Sequence, residues 1–111
     1  MEILHFNDVY NIEGKKGDTE LPAGAARFKS AFDLYDSKNK LVIFSGDLFF
    51  PSLLSTYFEG EQMIMPFERL NVDVSCLGNH ELDHGLKTAK ELLAKTSCPW
   101  LMTNLVNVDD E

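Results

Sequence analysis

The sequence predicts an α/β fold in which mostly parallel strands alternate with helices. Short apolar runs recur along the chain at residues 2–6, 41–44, 72–77 and 100–102. Between them lie stretches whose apolar residues fall at helical spacing. The most polar clusters, Asn7-Asp8, Gly46-Asp47 and Asn79-His80, each stand directly after one of the first three runs. Alternation of this kind implies parallel strands joined by right-handed crossovers. The 111 residues suffice for one domain of this class and not for two.

Residues 2–6 are short, apolar and bounded by Asn7-Asp8, which reads as a strand. Gly14, Gly17, Pro22 and Gly24, mixed with charges, make residues 11–24 a loop. From Ala25, the spacing of Phe28, Phe32 and Tyr35 predicts a helix that ends near Ser37 and Asn39. Leu41-Val42-Ile43-Phe44 is an unbroken apolar run, as in a sheet buried on both faces. A looser stretch through Pro51 and Gly60 follows, and Met63, Phe67 and Leu70 then predict a second helix that Pro66 bends or delays. Val72 to Leu77 predicts a third strand. Leu86, Ala89 and Leu93 predict a third helix, and Trp100-Leu101-Met102 a fourth strand. The tail from Val108 to Glu111 carries no packing signal, and no repeat or low-complexity segment occurs.

Composition bounds the function. The hydrophobic fraction of 44% and the charged fraction of 25% are ordinary for a globular protein. A net charge of −8, from 18 acidic and 10 basic residues, argues against a nucleic-acid partner, since phosphate neutralisation needs clustered Lys and Arg. No apolar run approaches the ~20 residues of a membrane span. Met1 leads almost directly into the first strand, with no basic-then-apolar leader, and this reading favours a cytoplasmic protein. Cys76 and Cys98 lie in no metal-binding pattern and read as free buried thiols.

In open α/β sheets, ligands bind outside the carboxyl ends of the strands. The three polar clusters would therefore meet in one place. They bring Asp8, Asp47, Asn79, His80, Glu81, Asp83 and His84 together. Carboxylates and an amide carbonyl are hard oxygen donors, and imidazoles are borderline nitrogen donors; this mix suits Mn, Zn, Fe, Mg or Ni. Asp47 can bridge two such ions. Two metals about 3.5–4 Å apart clamp the attacking and leaving oxygens of a phosphoryl transfer. Each residue also has a plainer reading. Asp8 can start an Asx turn, and Gly46-Asp47 is a common strand-ending turn. His80 with Asp83 can cap a helix start. His84 reads as solvent-facing, and His5, inside the first strand, as a packed or edge histidine.

Ile3-Leu4-His5-Phe6-Asn7-Asp8, Ser45-Gly46-Asp47 and Gly78-Asn79-His80-Glu81-Leu82-Asp83 resemble the first three motifs of calcineurin-like metallophosphoesterases, in the manner of the 5′-nucleotidase branch. Residues 71–77 and 100–104 are similar to that branch as well. The resemblance implies a partial metallophosphoesterase fold, the first half of a four-layer α/β/β/α sandwich. It implies two divalent metal ions, with Asp8 on the first, Asp47 bridging and Asn79 on the second. His80 would contact the scissile phosphate or leaving oxygen, and Asp83 would orient His80. The implied substrate is a small phosphorylated molecule such as a nucleotide, with no nucleic acid or membrane partner and no oligomeric state assigned.

Two departures stand out. The family's first motif has a metal-binding His where this chain has Tyr10. A further His and a Gly-His-x-His motif stand downstream in the family and are not among these 111 residues. Residues 1–111 therefore read as the N-terminal portion of the catalytic domain. Dinuclear metal binding by this portion alone should be weak, and one face of its sheet should be uncovered. Three alternatives remain on the sequence: an inactive fragment acting as a binding module, a phosphatase for a sugar phosphate or a phosphodiester, and a metal-free α/β binding domain.

Overall fold

A computed structural model of the protein describes residues 1–14, 23–35, 38–106 and 108. Four strands, β1 (Glu2–Phe6), β2 (Lys40–Phe44), β3 (Val74–Cys76) and β4 (Trp100–Leu101), form one sheet in the order β1-β2-β3-β4. Every pairing is parallel. Helix α1 (Ala25–Phe32) joins β1 to β2. Two short helices, α2 (Ser55–Phe58) and α3 (Ile64–Glu68), lie between β2 and β3, and α4 (Gly85–Leu93) joins β3 to β4. This is the α/β fold with alternating parallel strands and helices that the sequence predicts. Gly17, Pro22, Ser37 and Asp109 to Glu111, which entered the expected loop, helix end and tail, lie outside the described residues.

The register fixes which residues share a face. Leu4 pairs with Val42 and Phe6 with Phe44, and Phe44 lines up through Ser75 with Trp100. This face carries the core. Phe6, Val42, Phe44, Phe32 of α1, Phe67 of α3 and Leu92 of α4 are all buried in one cluster. Aromatic edges knit it together: Phe6 meets Phe32 at 5.5 Å between ring centres, and Phe44 meets Phe67 at 5.1 Å. Edge-to-face contacts of this kind add to the area term at about 0.5–1.5 kcal/mol each.

The opposite face holds Ile3, His5, Leu41, Ile43, Val74, Cys76 and Leu101. Ile3 is 58% and Leu101 52% exposed, and Leu41, Ile43 and Val74 are half-buried. β2 is thus covered on one face, not on both as its continuous apolar run suggests. Among the described residues no helix is long and apolar enough to cross a membrane.

The element ends differ from the sequence reading for local reasons. Tyr35 falls outside α1, because Tyr35 N–H bonds Phe32 O at 3.3 Å, three residues back, and closes the last turn. β3 starts at Val74. Its neighbour Asp73 donates its own N–H to Val42 O (3.0 Å) and accepts the Val42 N–H on its carboxylate (2.7 Å), so a side chain replaces the ladder there. Pro66 is the third residue of α3, within the first turn, where a backbone donor is not required. α2 and the 3₁₀ turns Glu61–Met63 and His80–Leu82 are too short to leave a periodic signal.

Candidate functional site

The three polar clusters stand at the carboxyl ends of β1, β2 and β3. The chain leaves β1 and β2 through two aspartates in the left-handed backbone region, Asp8 at φ 56° and Asp47 at φ 66°. Asp is among the few non-glycine residues that visit this region, at a cost of about 1–2 kcal/mol. Such strain concentrates where function over-determines the backbone. The two loops remain bonded after the strands end: Asp8 N–H reaches Gly46 O and Val9 N–H reaches Asp47 O, both at 3.1 Å.

The β2 and β3 ends touch through glycine. A Cβ on Gly46, itself at φ 88°, would lie 2.2 Å from Gly78 N, and a Cβ on Gly78 would lie 2.1 Å from Asp47 Oδ1. Only glycine fits either position. Glu81 then bolts the two turns together. Its side chain is fully buried, and its carboxylate accepts three backbone N–H groups: Asp47 at 2.8 Å, Leu48 at 2.6 Å and Gly78 at 2.7 Å. Three aligned amide dipoles replace the water that a buried carboxylate loses. No role for Glu81 follows from the sequence reading beyond membership of the polar cluster. The bond to Gly78 spans only three residues, while those to Asp47 and Leu48 cross from another loop.

Tyr10 joins the aspartates. Its hydroxyl lies 2.7 Å from Asp8 Oδ1 and 3.3 Å from Asp47 Oδ2. Burial pushes the Tyr10 phenol well above its ordinary pKa, helped by the bond to Asp8 and by the charge of Asp47. Asp8 moves down, held in its charged form by the Tyr10 and Asn7 hydrogen bonds. The Tyr10 ring meets His80 edge-on at 5.7 Å. The His80 backbone N–H bonds Asp47 Oδ1 at 2.9 Å, which places Asn79 and His80 against Asp47. His80 Nδ1 stands 2.8 Å from Asp83 Oδ2.

That contact raises the His80 pKa above 6.5. A raised pKa stabilises the folded protein at low pH, and the contribution is lost as pH climbs through the folded-state value. Asp83→Asn is expected to lower the His80 titration midpoint in a histidine NMR titration. An unchanged midpoint would show that Asp83 does not tune the ring.

Asp8, Asp47, Asn79, His80 and Asp83 are therefore drawn to one end of the sheet. His84 is exposed, as the sequence suggests, and its ring stacks on buried Phe50 at 4.2 Å. His5 stands on the open sheet face, bonded to Ser45 Oγ at 2.7 Å. Both cysteines are free; Cys98 is buried and Cys76 half-buried. Among the described residues no group of three His, Cys, Asp or Glu side chains is placed to hold a metal. Two carboxylates do converge on the Tyr10 phenol, with the Asn7 amide donating to Asp8. That chemistry fits a hard divalent cation.

A family profile described as calcineurin-like phosphoesterase matches residues 1–110. Among curated proteins, a probable 5′-nucleotidase of Treponema pallidum is 30% identical over 118 residues, and the human 5′-nucleotidase is 28% identical over 116. These matches cover 96% and 95% of this chain, which spans 20% of each relative's length. Among solved structures, a 5′-nucleotidase precursor of Thermus thermophilus superposes with a TM-score of 0.82 at 27% identity, over 92% of this chain and 22% of that one. The NAD nucleotidase of Haemophilus influenzae gives 0.79 at 28%, over 92% of this chain and 20% of its own. Profile, relatives and superposed folds agree with the geometry of the strand ends, and the chain belongs to the calcineurin-like phosphoesterase family.

Proposed function

We propose that the chain carries the N-terminal part of the active site of a metal-dependent phosphomonoesterase, of the 5′-nucleotidase kind. The observation that carries the reading is the run of contacts Asp8–Tyr10–Asp47–His80–Asp83 across three strand ends. The nucleotidase relatives favour a small phosphorylated substrate such as a nucleotide. The open apolar face, with Ile3, Leu41, Ile43, Val74 and Leu101, is the surface on which the second sheet of the domain would pack. In this reading residues 1–111 are one portion of that domain.

Asp8 and Asp47, through carboxylate oxygens, and Asn79, through its amide oxygen, would hold two divalent ions. Bound metals of this kind lower the pKa of coordinated water and neutralise phosphate charge. Asp47 would be shared between them. Its carboxylate is fixed on one side by the His80 N–H and on the other by the Tyr10 hydroxyl, so it is aimed before any ligand arrives. His80 directs Nδ1 to Asp83, which leaves Nε2 for the substrate. Asp83 favours the protonated ring, and that ring can give charge or a proton to the leaving oxygen.

The test is hydrolysis of AMP and of an aryl phosphate by the full-length protein with added manganese or zinc. Asp47→Asn is expected to cut turnover by on the order of 10²–10³ or more. Equal turnover in both proteins would sink the reading, and no turnover in either would favour a binding module instead.

A further inference from the structure

A cavity of about 320 Å³ lies on the core side of the sheet, bounded by β1, α1 and α3. Its size is at the lower end of the range of about 300–1,000 Å³ for ligand pockets, which selects a compact ligand. Four aromatic rings line it: Phe6 from β1, Tyr10 from the loop that follows, Phe28 from α1 and Phe67 from α3. Phe6 and Phe67 are buried and make its apolar floor. Asp8 and Glu13, both exposed, are the acidic residues on its lining, and no Lys or Arg among the described residues joins them.

These walls and this rim ask for different things. Apolar walls hold water poorly, so a ligand gains by filling the space with carbon. The rim carboxylates repel an anion. A neutral polar molecule finds few partners, because the floor has no donor or acceptor side chain. A cation with a carbon surface satisfies both, since aromatic faces attract a positive charge within about 6 Å of the ring centre. We propose that this cavity binds a compact organic ammonium ion, with its alkyl groups against Phe6, Phe28 and Phe67 and its charge shared by the rings and Glu13. Such a ligand needs no metal, so the site stands apart from the phosphoesterase reading.

Titration calorimetry of the full-length protein with choline tests this, beside the uncharged alcohol that has carbon in place of choline's nitrogen. Choline is expected to bind about 10-fold or more tightly than that alcohol. Phe28→Leu removes a ring and keeps an apolar side chain; Glu13→Gln removes a charge from an exposed position. Each is expected to weaken choline by about 5-fold or more and to leave the alcohol nearly unchanged. Tyr57→Phe, whose ring is 75% exposed and outside the cavity, is expected to change neither. Equal affinity for the two molecules, no binding of choline, or choline affinity unchanged in either variant would overturn the site. Should Phe28→Leu not fold, Glu13→Gln decides alone. No metal is added, so a failure to hydrolyse phosphate esters leaves the site standing.

Discussion

Glu81→Gln is expected to destabilise the protein by about 2–4 kcal/mol, although the two side chains have nearly the same shape. The reason is the count of donors. Glu81 Oε2 accepts from Asp47 N and Gly78 N, and Oε1 accepts from Leu48 N. An amide keeps one acceptor oxygen and must turn its NH₂ towards at least one backbone N–H. Two donors then face each other inside a pocket that no water reaches, since Glu81 is fully buried. Glu81→Ala removes all three partners and is expected to cost more. Urea denaturation checks this as a lower midpoint with an unchanged slope. A midpoint shift worth less than about 0.5 kcal/mol, the scale of ordinary surface substitutions, would show that the three bonds do not hold the turns together. The same variant is expected to loosen the Asp47 turn, whose carboxylate is held by the His80 N–H and the Tyr10 hydroxyl.

Gly46→Ala and Gly78→Ala are expected to damage the same joint by a different route. At Gly46 the backbone conformation alone costs about 1–2 kcal/mol for an L-residue. The new methyl would also meet Gly78 N at 2.2 Å, which is backbone and has no rotamer to escape into. At Gly78 the φ is ordinary, but the methyl would strike Asp47 Oδ1 at 2.1 Å and Asp47 N at 2.7 Å. Each substitution is expected to cost more than about 3 kcal/mol, in the range of severe core and strain effects. The two should differ in activity per folded molecule. Gly78→Ala pushes directly on the Asp47 carboxylate, so its surviving folded fraction should be the less active. Gly85→Ala serves as the control. Its φ of 83° is equally strained, yet a Cβ there would meet nothing within 4 Å, so it should lose only the conformational part.

Much of the fold was readable because its signals are local. The run Leu41 to Phe44 is apolar without a break, and it is the strand β2. Phe28 and Phe32 lie one turn apart, and both belong to α1. The polar clusters were readable because the residues after parallel strands converge whatever the loops do, and Asp8, Asp47 and His80 do converge. The joints between them were not readable. Glu81 reaches Asp47 and Leu48 across 34 and 33 residues, and Gly46 meets Gly78 across a comparable gap. Only tertiary packing creates such partners. Tyr10 stood out in the sequence as an odd residue in the first motif. Its position between two carboxylates depends on the left-handed turns at Asp8 and Asp47, which no periodicity records. The single-sided burial of β2 was also hidden, since a continuous apolar run looks the same whether its second face is covered by helices or waits for another sheet.

In the proposed function, three strand ends build one metal site. The most direct measurement is an anomalous difference map from crystals of the full-length protein soaked in manganese. The expected result is density within coordinating distance of Asp8, Asp47 and Asn79 together, lost in crystals of Asp47→Asn. Manganese bound elsewhere, with these three side chains untouched, would contradict it.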